Sequence, residues 1–148
     1  NIENDLNINN FNYNKLHFNN QLNNNIKLLK GKKILYTNGT LLHTLACIRQ
    51  MKLEKIFNKI CCRELTGLKP DVNSYMKLFN FSNVEFEDNT YFFEDTIENL
   101  LVAKNLGWTT ILICPDEKKS LYVKNNMPKI DYVFNNIIDA TNYFIEKQ

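Results

Sequence analysis

The stretch from Tyr91 to Ile113 constrains the fold more than any other part of this sequence. Tyr91-Phe92-Phe93 is an aromatic run without polar alternation, the pattern of a strand covered on both faces. The run stops on two acids, Glu94 and Asp95. Thr96 stands where a helix cap belongs, and Glu98 falls in the first turn, where a negative charge is favoured. Ile97, Leu100, Leu101 and Leu106 recur at the spacing of a helix's apolar face. Gly107 is placed to end that helix, and Ile111-Leu112-Ile113 reads as a second buried strand. The unit is therefore βαβ, with two carboxylates at the carboxyl end of its first strand. In open α/β sheets, ligands bind beyond that end of the strands.

A carboxylate pair in such a turn has two readings. One is a solvated turn that caps a helix. The other is a site for a hard cation, since Mg²⁺ is held by one or two carboxylates and completes its shell with water and substrate phosphate. The remainder of the chain has to decide between them.

At 148 residues the chain is one domain's worth, and a hydrophobic fraction of 44% is enough for a core. A net charge of +2, with scattered basic residues, argues against a nucleic-acid surface. No apolar run approaches the roughly 20 residues of a membrane span, and no signal peptide is visible. The four cysteines, Cys47, Cys61, Cys62 and Cys114, form no CxxC, and the two histidines do not complete a zinc set with them. Buried, reduced thiols of a cytoplasmic protein are expected. The first residue is Asn1 rather than Met, which leads us to expect a piece of a longer protein.

Residues 1–25 hold twelve asparagines, interrupted by Phe11, Tyr13, Leu16, Phe18 and Leu22. This segment reads as a peptide lying on a core. Ile26, Leu28 and Leu29 close a short amphipathic helix near Gly31. Lys32–Tyr36 is a strand running into Thr37-Asn38-Gly39-Thr40. A helix from about Leu41 to Met51 follows, with Leu41, Leu42, Leu45, Ile48 and Met51 on or near one face. A loop over 52–58 buries Leu53, Ile56 and Phe57, and Lys59–Cys62 is the next strand. Arg63–Pro70 reads as a loop. Asp71 caps a helix through Asn80, with Val72, Tyr75, Met76 and Phe79 inward. Asn83–Asn89 is an acidic loop, residues 114–129 form a charged loop, Asp131–Phe134 is a strand and Ile137–Glu146 is a last helix. Alternating strands and helices predict a parallel α/β sheet.

Three polar points fall at strand ends: Thr37-Asn38-Gly39, Lys69 and Glu94-Asp95. Together they suit a phosphate ester. A threonine hydroxyl and backbone N–H groups at a strand-to-helix turn bind phosphate oxygens, aided by the helix N-terminus. A lysine adds a point charge against a dianion, and a carboxylate brings Mg²⁺.

That order resembles the haloacid dehalogenase superfamily of phosphatases. Thr37-Asn38-Gly39 matches its second motif, Lys69-Pro70 its third and Phe92–Asn99 its fourth, with Ala103–Gly107 matching the run that follows. Within the superfamily the chain looks like the pyrimidine 5′-nucleotidase type, through the spacing of Thr37, Asn38 and His43 and the sequence Glu94-Asp95-Thr96-Ile97-Glu98-Asn99. Tyr13–Leu22 looks like the segment leading out of that branch's helical cap. The resemblance implies Asp95 as the Mg²⁺ ligand, Thr37, Asn38 and Gly39 as the phosphate-binding turn, Lys69 as the neutralising cation, and Glu94 and Asn99 as supporting groups. The superfamily's first motif, an Asp-x-Asp carrying the nucleophile, has no counterpart here. Glu3 and Asp5 are the only acids upstream of Thr37, and no buried strand precedes them.

The expected fold is a haloacid dehalogenase-like, Rossmann-like three-layer α/β sandwich with a mainly parallel sheet that lacks the first-motif strand. Residues 1–25 would form the exit from a helical cap and residues 26–148 the core. The resemblance places the missing strand between those ending at Tyr36 and Phe93, supplied by an N-terminal segment of the same protein or by a second chain. The implied activity is Mg²⁺-dependent hydrolysis of a small phosphomonoester, a nucleoside 5′-monophosphate of the pyrimidine type, through an aspartyl-phosphate on an aspartate outside this chain. The alternative is a non-catalytic binding module on the same fold. A receiver-type signalling domain fits less well, because its acid cluster belongs early in the chain.

Overall fold

Helices and parallel strands alternate along nearly the whole chain. The computed structural model describes residues 15–83 and 89–148. The acidic loop expected over 83–89 lies mostly outside them, as do residues 1–14. Two compact units divide the chain between Asn83 and Val84.

The first unit begins with α1 (Asn20–Leu28), capped by Asn19, whose Oδ1 accepts the Leu22 N–H at 2.9 Å. The helix thus starts inside the asparagine-rich segment, and its buried face includes Asn23 and Asn25 beside Leu22. Gly31, at φ +89°, turns the chain into β1 (Ile34–Tyr36). Then come α2 (Leu41–Gln50), β2 (Lys59–Cys61), a short helix α3 (Arg63–Thr66) within the expected loop, and α4 (Val72–Ser82). Strands β1 and β2 are parallel, with Leu35 opposite Ile60. Asp71 caps α4 as the sequence predicts, its side chain accepting the Asn73 N–H at 2.9 Å.

The inner faces of α2 and α4 differ from expectation. Thr44 and Ile48 are the buried residues of α2, while Leu42 is 72% exposed. In α4, Ser74, Tyr75, Leu78, Phe79 and Ser82 are buried, and Val72 and Met76 face outward. Small hydroxyl residues are buried on both helices beside the expected Ile48, Tyr75 and Phe79, so the apolar pattern alone misplaces part of each face. Ser82 shows how: its hydroxyl donates to the Leu78 carbonyl, so a polar side chain is buried without an unpaired group.

The second unit holds β3 (Tyr91–Glu94), α5 (Ile97–Asn105), β4 (Thr109–Ile113), α6 (Glu117–Asn126), β5 (Tyr132–Phe134) and α7 (Ile137–Lys147). Its three strands are parallel in the order β3-β4-β5. Leu100, Ala103, Ile111 and Leu112 are completely buried. Trp108 packs edge-on against Phe92, ring centres 5.4 Å apart. Phe144 of α7 meets Tyr91, Phe93 and Tyr132 edge-on at 5.1–5.7 Å, which seats this helix on the strands. The aromatic run of β3 is less enclosed than expected: Phe92 is buried but Tyr91 is 51% exposed.

Helix α6 occupies the segment read as a charged loop. Its cap is Asp116, whose Oδ1 accepts the Lys119 N–H at 3.0 Å. Only Ser120 and Val123 turn inward, so its apolar stripe is too narrow to register as periodicity. Asp131 ties three elements together. It pairs with Lys104 of α5 at 2.7 Å and accepts the N–H and hydroxyl of Thr110 in β4.

All four cysteines are free thiols. Cys61 is fully buried, and burial pushes its thiol up to about 11. Among the described residues no helix is long and apolar enough to cross a membrane. The two sheets are β1–β2 in the first unit and β3–β4–β5 in the second.

Candidate functional site

Four of the residues singled out in the sequence meet in the first unit, beyond the carboxyl end of β1. The strand continues one bond past Tyr36, where the Thr37 N–H donates to the Cys61 carbonyl at 3.0 Å. The chain then turns, and the Gly39 N–H folds back to the Thr37 hydroxyl at 3.0 Å. The Thr37 oxygen is an acceptor in that contact, so its own hydrogen remains available to an outside oxygen. A Cβ at position 39 would sit 3.3 Å from Thr37 Oγ1, His43 Cδ2 and Thr44 Oγ1 alike, so a larger residue would have to push these side chains aside by a few tenths of an ångström. Thr44 Oγ1 is itself buried with no hydrogen-bond partner among the described residues.

Asn38 makes a reciprocal clamp on Lys69. Its Oδ1 accepts the Lys69 N–H at 2.8 Å, and its Nδ2 donates to the Lys69 carbonyl at 3.1 Å. The loop before α4 is thereby locked to the loop after β1, across thirty-one residues of sequence. Lys69 is only 9% exposed. Its Nζ donates to the Tyr36 carbonyl at 3.0 Å and lies 4.6 Å from the centre of the Tyr36 ring. A carbonyl and an aromatic face both favour an ammonium, so the charge is held beside the strand end. The Lys69–Pro70 peptide is cis.

The amino end of α2 departs from expectation. The Leu41 N–H is taken by the Glu64 carboxylate, at 3.0 and 3.1 Å, and the His43 N–H by Thr40 Oγ1 at 3.3 Å. The backbone N–H groups of Glu64 itself and of Leu41 hold the Glu64 carboxyl below the usual carboxylate range. This helix end already carries an anion of its own. An incoming phosphate would rely on Thr37 and Lys69 rather than on the helix. Arg63 joins the group too, its Nε donating to the Asn38 carbonyl at 2.8 Å. Sequence reading passed over Tyr36, Arg63 and Glu64.

In the second unit, the end of β3 and the first turn of α5 bring Glu94, Asp95 and Asn99 together. Glu94 Oε1 accepts the N–H groups of Asp95 and Thr96, at 3.0 and 3.2 Å, and Oε2 accepts Asn99 Nδ2 at 3.3 Å. Thr96 is the N-cap residue of α5, and Glu94 takes the two N–H groups just ahead of the helix. Thr96 makes no side-chain cap bond and instead donates its hydroxyl to Asp95 Oδ1 at 3.2 Å. Of the two acids Glu94 is thus engaged with backbone, while Asp95 is exposed at the strand end. Asn99 is buried. Among the described residues no three His, Cys, Asp or Glu side chains gather as a metal site. The turn offers oxygen atoms of the kind Mg²⁺ takes, those of the exposed Asp95 carboxylate among them.

Comparison with solved structures shows what this architecture is similar to. An L-2-haloacid dehalogenase from Xanthobacter autotrophicus with chloropropionic acid covalently bound superposes with a TM-score of 0.68 at 15% identity, over 88% of this chain and 62% of the other. A second dehalogenase, with an intermediate complex, gives 0.70 at 16% identity, over 86% and 56%. The fold is haloacid dehalogenase-like. YfnB from Bacillus subtilis, described as a HAD-hydrolase and bound to magnesium, gives 0.66 at 17% identity, over 83% of this chain and 52% of that one. The chain spans about half to three fifths of the length of the solved structures it matches. No protein-family model and no curated protein sequence matches it.

Proposed function

We propose that this haloacid dehalogenase-like chain is the phosphate- and metal-holding part of a phosphomonoester hydrolase acting on nucleoside 5′-monophosphates of the pyrimidine type. The observation that carries this is the Asn38 clamp. It spends both polar ends of one side chain on the backbone of a single lysine and fixes that lysine at the end of the strand that runs into Thr37. A fixed cation and a hydroxyl donor are what a phosphoryl group needs while charge builds on its oxygens.

Thr37 would donate to a phosphoryl oxygen, with Gly39 keeping that hydroxyl turned outward. Lys69 would neutralise charge on the phosphate and on the attacking carboxylate. Asp95 would hold Mg²⁺, which when bound supplies further neutralisation of the phosphate. Glu94 and Asn99 would set the shape of the turn that presents Asp95. The attacking aspartate would come from outside this chain, from an N-terminal segment of the same protein or a second chain. Its carboxylate forms a bond to phosphorus as the bond to the nucleoside oxygen breaks, and water then hydrolyses the aspartyl-phosphate. The nucleotide preference rests on the resemblance of the turn sequences alone.

The test is phosphate release from a panel of nucleoside monophosphates and sugar phosphates, with the protein complete in whatever supplies the aspartate. Asp95→Asn keeps size and shape but removes the charge. It is expected to lower Mg²⁺-dependent turnover by a factor on the order of 10², equivalent to about 3 kcal/mol of barrier. Near-normal turnover at unchanged Mg²⁺ dependence would remove the assignment. A protein that binds phosphate esters but releases none from any of them is the non-catalytic binding module instead.

A further inference from the structure

At the amino end of the β1–β2 sheet, opposite the turn that carries Thr37, lies an open cleft of about 450 Å³. Four lysines line it, Lys27, Lys33, Lys52 and Lys55, together with Gly31, Ile56 and Asn58. Among the described residues no acidic one is part of the lining, and none of the four lysines is paired with a carboxylate. The one acid on the adjoining turn, Glu54, is taken by Arg49 at 3.0 Å.

The cleft is held in place from several sides. Lys52 adopts φ +56°, a left-handed conformation that glycine or asparagine enters more easily than lysine. Its N–H donates to the Arg49 carbonyl at 3.1 Å, its carbonyl accepts Asn23 Nδ2 at 3.1 Å, and its ammonium lies 5.1 Å from the centre of the Phe18 ring. Backbone strain of this kind persists only where the surroundings enforce it, and here they fix the backbone from which the Lys52 side chain leaves. Across the cleft, Asn58 Oδ1 accepts the Lys33 N–H at 2.7 Å and the Asn58 N–H donates to the Lys33 carbonyl at 2.7 Å. Asn58 Nδ2 then has no partner among the described residues and can donate outward.

We infer that this cleft is a second binding site, for a small molecule carrying two or more phosphate groups. The volume falls in the range of small-ligand sites, roughly 300–1,000 Å³. The lining is cationic rather than apolar, which selects an anion. Lys27, Lys52 and Lys55 are exposed, so each charge acts through solvent and is screened by salt. One phosphate gains little from any single such lysine, whereas an anion with several charges can meet three or four at once. Ammonium groups on flexible stems act as point charges and make no demand on the ligand's geometry.

The experiment is calorimetric titration at low salt with inorganic pyrophosphate and, separately, with orthophosphate. The variants are Lys52→Gln/Lys55→Gln, a control Lys118→Gln/Lys119→Gln with the same change in net charge on α6, and Lys69→Gln for the site beyond β1. Pyrophosphate is expected to bind more tightly than orthophosphate. Its affinity should fall on the order of tenfold in Lys52→Gln/Lys55→Gln, rise with falling salt, and hold within about twofold in Lys118→Gln/Lys119→Gln, while Lys69→Gln reports any pyrophosphate held beyond β1. Equal losses in the two double variants would reduce the effect to net charge and overturn the assignment. So would a loss confined to Lys69→Gln, or the absence of pyrophosphate binding to the unaltered protein. Because the readout is binding without turnover, a failed phosphatase assignment leaves this result standing, and the reverse holds as well.

Discussion

Replacing Asn38 by alanine tests the central contact of the candidate site. The side chain makes two hydrogen bonds, both to the backbone of Lys69. Each is worth about 1 kcal/mol net, so their loss costs roughly 2 kcal/mol. The Lys69 backbone lies in a residue only 9% exposed, where water replaces the lost partner poorly. That adds up to about 1 kcal/mol more, for a total of about 2–3 kcal/mol. Native-state hydrogen exchange reads the effect locally, at the Lys69 amide. Protection there should fall roughly 30- to 150-fold, at about tenfold for each 1.4 kcal/mol. Asn38→Asp keeps an acceptor for the Lys69 N–H but loses the donor to its carbonyl, so it should fall in between. A Lys69 amide exchanging within about threefold of the unaltered rate in Asn38→Ala would show that the clamp carries no local stability, and the reasoning would fail.

Two further outcomes are expected in the second unit. Asp116→Ala removes the cap of α6 and should destabilise that unit by about 1 kcal/mol, whereas Asp116→Asn, an equally good cap, should change little; urea unfolding followed by Trp108 fluorescence compares the two. Burial alone would raise the Asp131 carboxyl, but hydrogen bonds from Lys104 and Thr110 outweigh it and hold the group below the usual carboxylate range. Its contribution is therefore full above the unfolded carboxylate value of about 3.9 and is lost as pH falls from there through the lower folded value. Acid titration of Trp108 fluorescence should show Asp131→Asn less stable near neutrality and flatter across that acid range.

Much of the fold was legible because its signals are local. Tyr91–Phe93 and Ile111–Ile113 are apolar runs bounded by acids and glycine, and Asp71 announced the helix it caps. Helix α6 was not legible, since its burial amounts to Ser120 and Val123 and its stability comes from a cap rather than a stripe. The faces of α2 and α4 were misjudged because Thr44, Ser74 and Ser82 pack inward while Leu42, Val72 and Met76 do not. At the site, the sequence could offer Thr37, Lys69 and Asp95 by their order. It could not offer the roles of their neighbours. That Glu94 would bind backbone and leave Asp95 exposed depends on how the turn closes, which no residue spacing encodes. Nor could spacing reveal that Glu64 would fill the amino end of α2.

The Asn38 clamp has a bearing on how the protein ages. Asn38 is followed by Gly39, the pairing in which an asparagine most readily deamidates, because the next backbone nitrogen can attack the side-chain carbonyl carbon and expel ammonia. In the folded chain both reactants are committed. The Gly39 nitrogen donates to Thr37, and the Asn38 amide is held at both ends by Lys69. The fold that positions the lysine therefore also shields the asparagine from succinimide closure. An unfolded molecule loses that shield, and the resulting aspartate or isoaspartate can no longer grip the Lys69 carbonyl on refolding. Time spent unfolded would be written irreversibly into this one turn.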